Sequence, residues 1–440
     1  MEYPVTGPGL MSLLRSPVVA LPSCFLALLA CGGAGASAGG AGPAGLATVI
    51  DSTADSVIAR VDGAVPVGSI RHLVEELRIA PGVDDTSLFT EVFEFDVDQA
   101  GRLWVFDQPT RSIFVFGADG SLIRRIGRQG GGPGEFQQNG GMIALPNGGI
   151  AVWDSRNARI SFFSAEGQLE GGWPTPAGFS TSNALYADRA GTLYLRRPVT
   201  PPREGEILGR MGLVRLNQED GGFRDSLAPP DLEVPREPYV AQRRGEGDNV
   251  STSSTNARYQ PGYRWDWHPD GHFVVAHGGR YEIINANPAG KPVVIRRNAP
   301  PVPVPQEEIS EERAFITWNM RQTDPGWSFS GPPLPETKAP LSNIAVTRDG
   351  RIWARVATAS ERIPEAERVP LREPDRPTIT FRSEAVIYEV FAPEGRFLGR
   401  VEFPRRTTLV DADGDVVWAL GRDADGLPAL LRLRIEPGLR

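Results

Sequence analysis

The chain has 440 residues, a formal net charge of −8 and a pI near 5.3. That balance, with no block of lysine or arginine to offset it, excludes a nucleic-acid surface, because phosphate recognition needs a basic face. The 50 glycines and 40 prolines, without long runs of helix formers, predict many short strands joined by turns.

Residues 1–30 read as a targeting segment. Arg15 precedes "SPVVALPSCFLALLAC", which is too short and too proline-interrupted to span a bilayer well. A start at Met11 would give a more ordinary charged leader. The stretch ends in Leu28-Leu29-Ala30-Cys31-Gly32, which resembles the bacterial lipobox. That resemblance implies a lipid-modified Cys31 as the first mature residue; ordinary secretory cleavage at the small residues of 34–38 is the alternative. Cys24 would leave with the leader, so the mature chain has one cysteine and no intramolecular disulfide. Multiple acyl chains, at about 0.8 kcal/mol per buried methylene, would anchor it durably. Residues 31–67, rich in glycine and alanine, are expected to be a flexible tether.

From 68 to 440 one pattern repeats. A turn ending in glycine is followed by an apolar strand at Gly101 ("DQAGRLWVFD"), Gly148, Gly191, Gly271, Gly350 and Gly414. A short apolar strand precedes each glycine, and a second hairpin follows most of them. Four strands per unit with tight turns is the plan of a propeller blade. The expectation is all-β: a six-bladed β-propeller with four-stranded blades near 89–130, 139–176, 181–228, 262–298, 341–404 and 405–440. The sixth unit lacks a fourth strand. The orphan stretch 69–82, an N-terminal strand, is expected to supply it and close the ring.

Residues 126–163 resemble an NHL repeat. Gly132, Pro133, Gly134 and Phe136 form its connector, and Trp153, Asp154, Asn157, Arg159, Ile160 and Phe163 its strand motif. Blade 1 repeats the pattern with Trp104, Asp107, Arg111, Ile113 and Phe116. The resemblance implies a bacterial exported propeller. The run Gly127 to Gly134 is therefore a blade connector: it lacks the Gly-Lys-Ser/Thr ending of a P-loop and the βαβ context of a dinucleotide fold. In the Asp107/Arg111 and Asp154/Arg159 pairs, the carboxylates are expected to accept turn N–H groups and the arginines to pair with them.

Every long insertion falls on one face: 196–211 and 357–383 inside blades, 228–261 and 298–340 between them. Long loops on one face of a rigid scaffold are where binding resides. Within the last insertion, "PQEEISEERAFITWNM" predicts a short helix with apolar residues at Ile309, Phe315, Ile316 and Met320. Two readings stand for it: a lid whose Trp318, Arg321 and Trp327 touch a ligand, or a plug that buries its own apolar side. Counting back from the turn glycines, with an extra residue allowed in blades 1 and 3, places Phe93, Gly141, Asn183, Arg264, Asn343 and Thr407 at the channel mouth, a polar ring without a carboxylate. Of these, Asn183, Arg264, Asn343 and Thr407 are the candidate ligand contacts. Glu94 stands one residue off this ring. His268, His272 and His277 are too spread to share one zinc. No catalytic residues, metal ligands or cofactor are predicted. A propeller that binds a protein, peptide or glycan, touching the membrane only through its anchor, is the leading reading. A structural member of an envelope assembly is another. A metal-dependent hydrolase, lactonase or lyase using a divalent cation at the mouth is the enzymatic alternative.

Overall fold

The computed structural model describes residues 47–63, 69–81, 89–175, 185–202, 209–234, 237–245, 250–368, 373, 375–423 and 426–439. Cys31, Asn183, the leader and residues 31–46 of the expected tether lie outside them.

Each turn glycine adopts a positive φ, between 57° and 83°, which a side chain would strain. The chain therefore reverses there and pairs with itself. Blade 1 runs outward from the axis as Val92–Val97, Leu103–Asp107, Ser112–Phe116 and Leu122–Ile126. The innermost strands of the other blades are Asn139–Ala144, Leu185–Ala187, Tyr263–His268, Leu341–Val346 and Thr407–Asp413. The fold is a six-bladed β-propeller. The N-terminal strand Ile70–Ile79 pairs antiparallel with Pro428–Glu436 as the outermost strand of blade 6. Its first residues also meet blade 5, Ile70 opposite Arg400.

The core is a set of wedges between neighbouring blades. Trp104 and Phe106 of blade 1 pack on Met142, Ile150 and Val152 of blade 2. Ile79, Phe95, Trp418 and Leu430 fill the wedge between blades 6 and 1. The aromatic three residues beyond a turn glycine reaches back to the residue three before it. Trp104 Nε1 donates to Asp98 Oδ2 at 3.0 Å, Tyr194 Oη to Asp188 Oδ2 at 2.9 Å, and Trp353 Nε1 to Thr347 Oγ1 at 3.2 Å. Buried rings thus keep their polar atoms satisfied.

The glycine run is a connector wrapped on Phe136: a Cβ at Gly127 would lie 2.4 Å from that ring. Asp154 accepts the amides of Gln137 and Asn157 at 2.7 and 2.9 Å, as a turn carboxylate should. Arg159 differs from expectation. It donates to the carbonyls of Gly131, Gly132 and Glu135 instead of pairing with Asp154, whose oxygens the turn amides already occupy.

Two expectations change. The tether is a strand hairpin over part of its length: Ala47–Ser52 and Val57–Asp62 pair, and the second adds parallel to Val293–Arg297 at the outer edge of blade 4. Ala59 and Val61 are fully buried in the wedge between blades 4 and 5. The alternation in "VIARV" carried that signal, and the glycine-rich composition before it masked it. The helix α1, Gln306–Arg321, forms where expected with Ile316 and Met320 inward and Ile309 packed beside them, but it also buries two acids. Its buried stripe is Glu308, Glu312, Ile316 and Met320, while Phe315 is half-buried. Glu308 accepts from Tyr259 Oη and Ser360 Oγ at 2.5 Å each, and Glu312 from the amide and guanidinium of Arg258. Hydrogen-bond partners in neighbouring loops make that burial tolerable.

Candidate functional site on the long-loop face

Pairing partners along the second strands set the register of the channel. In blades 1, 2, 5 and 6 the innermost strand carries a bulge: between Val92 and Glu94, Asn139 and Gly141, Leu341 and Asn343, Leu409 and Asp411. An extra residue moves everything before it by one position. Gly141, Arg264 and Asn343 stay on the ring, opposite Trp153, Ala276 and Arg355. In blade 1 Glu94 takes that place, opposite Phe106, because the extra residue falls beyond it, at Phe93. The mouth therefore holds a carboxylate, contrary to the counted ring. Asn139 Nδ2 donates to Glu94 Oε2 at 2.9 Å across the blade boundary.

One layer deeper lie Asp96, Asp266 and Asp411 from blades 1, 4 and 6. Each ties one blade to another. Asp96 accepts the Ala144 amide at 2.6 Å, Asp266 that of Val346 at 2.8 Å, and Asp411 that of Arg348 at 2.9 Å. Each also accepts the amide of the residue that follows it. The Arg348 guanidinium bonds Asp411, lies 3.7 Å from Asp96, reaches the carbonyls of Val97 and Asp98, and rests 4.9 Å over the Trp418 ring. It therefore pins blades 5, 6 and 1 together. These carboxylates are committed to backbone donors. Among the described residues no three of His, Cys, Asp and Glu converge in a metal-binding group.

Burial pushes Glu94 up to about 8 and Asp96 and Asp266 to about 6, and it raises Asp411. Depth sets that direction, while the 16% and 13% of side-chain surface that Asp96 and Asp411 keep open let channel water limit its size. Ordinary carboxyls titrate near 4, so folding takes up protons here. The stability that the protonated forms supply is complete below about pH 4. It is lost as pH rises through about 6 for the two aspartates and about 8 for Glu94. Denaturant titrations at pH 5, 7 and 9 should show stability falling with pH. In Glu94→Gln, which keeps the acceptor for Asn139, the fall from 7 to 9 should flatten; an unchanged fall would assign it elsewhere.

The insertions assemble into one cap above blades 4 and 5. A hairpin, Tyr239–Arg244 with Val250–Thr255, comes from the link into blade 4. Helix α1 comes from the link into blade 5, and Ser360–Arg362 with Phe381–Ser383 from within blade 5. Tyr239, Ala241, Ala257, Ile316, Met320, Trp327 and Leu334 form its own core. Trp327, expected as a ligand contact, is buried at 7% exposure and donates Nε1 to Val240 O at 2.9 Å. Trp318 and Arg321 lie on the other side of α1. With Ser310, Arg313, Ala314, Thr317 and Asp375 they line an open cleft of about 570 Å3. Arg376 stacks over Trp318 at 5.4 Å, and Arg313 over Phe329 at 4.2 Å.

Arg264 donates to the carbonyls of Ser342 and Tyr263, both at 3.1 Å; Asn343 is exposed, and Thr407 is 8% exposed. On the opposite face His268 and His272 flank a tight turn, while His277 stands at the other end of the same strand. His268 and His272 stack at 4.3 Å, and His272 Nε2 meets Asn285 Oδ1 at 2.6 Å. His277 accepts the Gly279 amide at 3.2 Å. Burial lowers His268 to about 4, so it is neutral near pH 7.

One family model agrees with this architecture. A family described as a six-bladed β-propeller matches residues 84–182, the part of the chain where the repeat residues are most regular. No curated protein matches the chain in sequence. Among solved structures, a protein of Bacteroides fragilis described as exported is 12% identical over 86% of this chain and 99% of its own, with a TM-score of 0.44. A member of the DUF4221 family from Bacteroides vulgatus is 12% identical over 84% and 99%, with a TM-score of 0.48. A virginiamycin B lyase from Staphylococcus aureus is 10% identical over 81% and 98%, with a TM-score of 0.37. No activity is carried from these proteins to this chain.

Proposed function

We propose that this chain is an exported propeller, held to a bacterial membrane by lipid on Cys31, that binds a partner on its long-loop face. The observation that carries the reading is the cap. Loops from three separate connections build a packed second layer and leave on its outer side a cleft lined by Trp318, Arg313 and Arg321. Aromatic and arginine side chains on a rigid support are the usual anchors of recognition. The short turns of the other face offer nothing comparable. The reading of binding over metal-assisted hydrolysis is supported by the channel aspartates Asp96, Asp266 and Asp411, each committed to backbone amides across a blade boundary.

The test is affinity capture from envelope extracts with the full chain. Cys31→Ala should leave the protein unlipidated and extractable without detergent. Trp318→Ala should lose the captured partner while melting unchanged. Undiminished capture by that variant would remove the cap from the reading. One tightly held divalent ion per chain, found by elemental analysis, would turn it toward the lactonase or lyase alternative.

A further inference from the structure

Between blades 5 and 6 a second pocket opens on the same face. The second strands of both blades end there, Ile352–Val356 and Val416–Arg422, as the innermost strand of blade 6 begins at Thr407. Arg355, Arg406 and Arg422 surround a space of about 290 Å3 with the hydroxyls of Thr407 and Thr408. The Arg422 amide donates to Arg406 O at 3.1 Å, which sets these two arginines side by side. Their guanidiniums are braced by loop carbonyls: Arg422 Nη1 donates to Gly426 O at 2.9 Å and Arg406 Nη1 to Asp423 O at 3.1 Å. An arginine has five N–H donors, so bracing through one nitrogen leaves Arg422 others to offer.

The neighbourhood sharpens the contrast. Nearby arginines are neutralised: Arg382 and Arg405 by Glu361, Arg400 by Glu389. Among the described residues no carboxylate lies within ion-pair distance of Arg355 or Arg422. In a chain of net charge −8, setting Arg355 and Arg422, which have no carboxylate partner among the described residues, around one small pocket favours the entry of an anion. The pocket is at the lower limit of ligand-site sizes, and Val386 and Leu420 give it an apolar side.

We propose that this pocket binds a small oxyanion-bearing molecule of about monosaccharide size, a carboxylate or phosphate held by Arg355, Arg406 and Arg422 with hydroxyls against Thr407 and Thr408. The proposal rests on the long-loop face being the binding face and adds a ligand chemistry to it. Guanidinium forks match both anions bidentately.

Calorimetric titration of the detergent-solubilised full chain with glucuronate, glucose 6-phosphate, inorganic phosphate and neutral glucose tests it at fixed ionic strength. One site for at least one anion is expected, and none for glucose; which anion binds separates a carboxylate from a phosphate ligand. Arg355→Gln and Arg422→Gln should each weaken binding about tenfold. Arg355 is exposed, so its replacement tests the pocket without risk to the fold, and melting curves check both variants. Absence of anion binding at millimolar concentration would overturn the proposal, as would equal affinity in the doubly substituted chain. Failed anion binding with capture by the cap intact would overturn this proposal alone. Intact anion binding with capture unaffected by the cap variant would support it and count only against the cap.

Discussion

Replacing Glu389 with alanine is expected to cost about 3–5 kcal/mol of stability, measured by denaturant unfolding at pH 7. Glu389 is fully buried between blades 4 and 5 and holds two arginines and a tyrosine. Arg297 lies 2.8 Å away with 1% of its side chain exposed, Arg400 Nη2 donates at 2.7 Å, and the Tyr281 hydroxyl donates as well. Burial beside the carboxylate raises Tyr281 far above its ordinary range, so it remains a donor. Without Glu389 the Arg297 charge has no carboxylate and no water. That stranded charge, more than the lost attraction, sets the size of the effect. Replacing Arg297 with methionine in the same chain should therefore recover much of the loss. Arg400→Met alone should cost less, since Arg400 keeps 24% of its side chain in solvent. A loss below about 1 kcal/mol for Glu389→Ala would mean water reaches the site and the pair behaves as a surface bridge.

A chain lacking 69–81 is expected not to accumulate as a soluble monomer. That strand covers the open edge of Pro428–Glu436, pairing from His72 opposite Glu436 to Ile79 opposite Leu430. It buries Ile79 against Phe89, Trp418 and Leu430, and packs Leu73 and Leu77 in part. At about 1.5–3 kcal/mol for a fully buried aliphatic side chain, the three contribute on the order of 4–6 kcal/mol. That approaches the net stability of an ordinary domain. Glu76 adds pairs to Arg432 and Arg434 at 3.3 and 2.5 Å. Removal also bares a nine-residue strand edge that can template aggregation. A peptide of residues 69–81 supplied during refolding should restore the monomer in size-exclusion chromatography. If the truncated chain stays monomeric and melts as before, blade 6 is stable with three strands and ring closure lies elsewhere.

The second of these expectations starts from features legible in the amino-acid order, because it depends on local periodicity. Recurring turn glycines, each followed by an apolar strand, announced the hairpins. The missing fourth strand of the last unit pointed back to 69–82, and Pro305 with acids behind it marked the start of α1. Such signals survive because φ and ψ preferences and a period of two act over a few neighbouring residues.

What stayed hidden depended on partners distant in the chain. The bulge in blade 1 shows no glycine or proline, so its place beyond Glu94, and with it the carboxylate at the channel mouth, is not legible in the order of residues. Glu308 and Glu312 looked like a solvated helix start until Tyr259, Ser360 and Arg258 arrived from other loops to satisfy them. Residues 47–62 looked like tether because the apolar edge that accepts them belongs to blade 4, more than 200 residues later. Arg355, Arg406 and Arg422 become one site only where blades 5 and 6 meet. Strand and turn are local consequences of sequence, whereas register, the burial of a charge and the gathering of like charges are decided by contacts that exist only once the ring has closed.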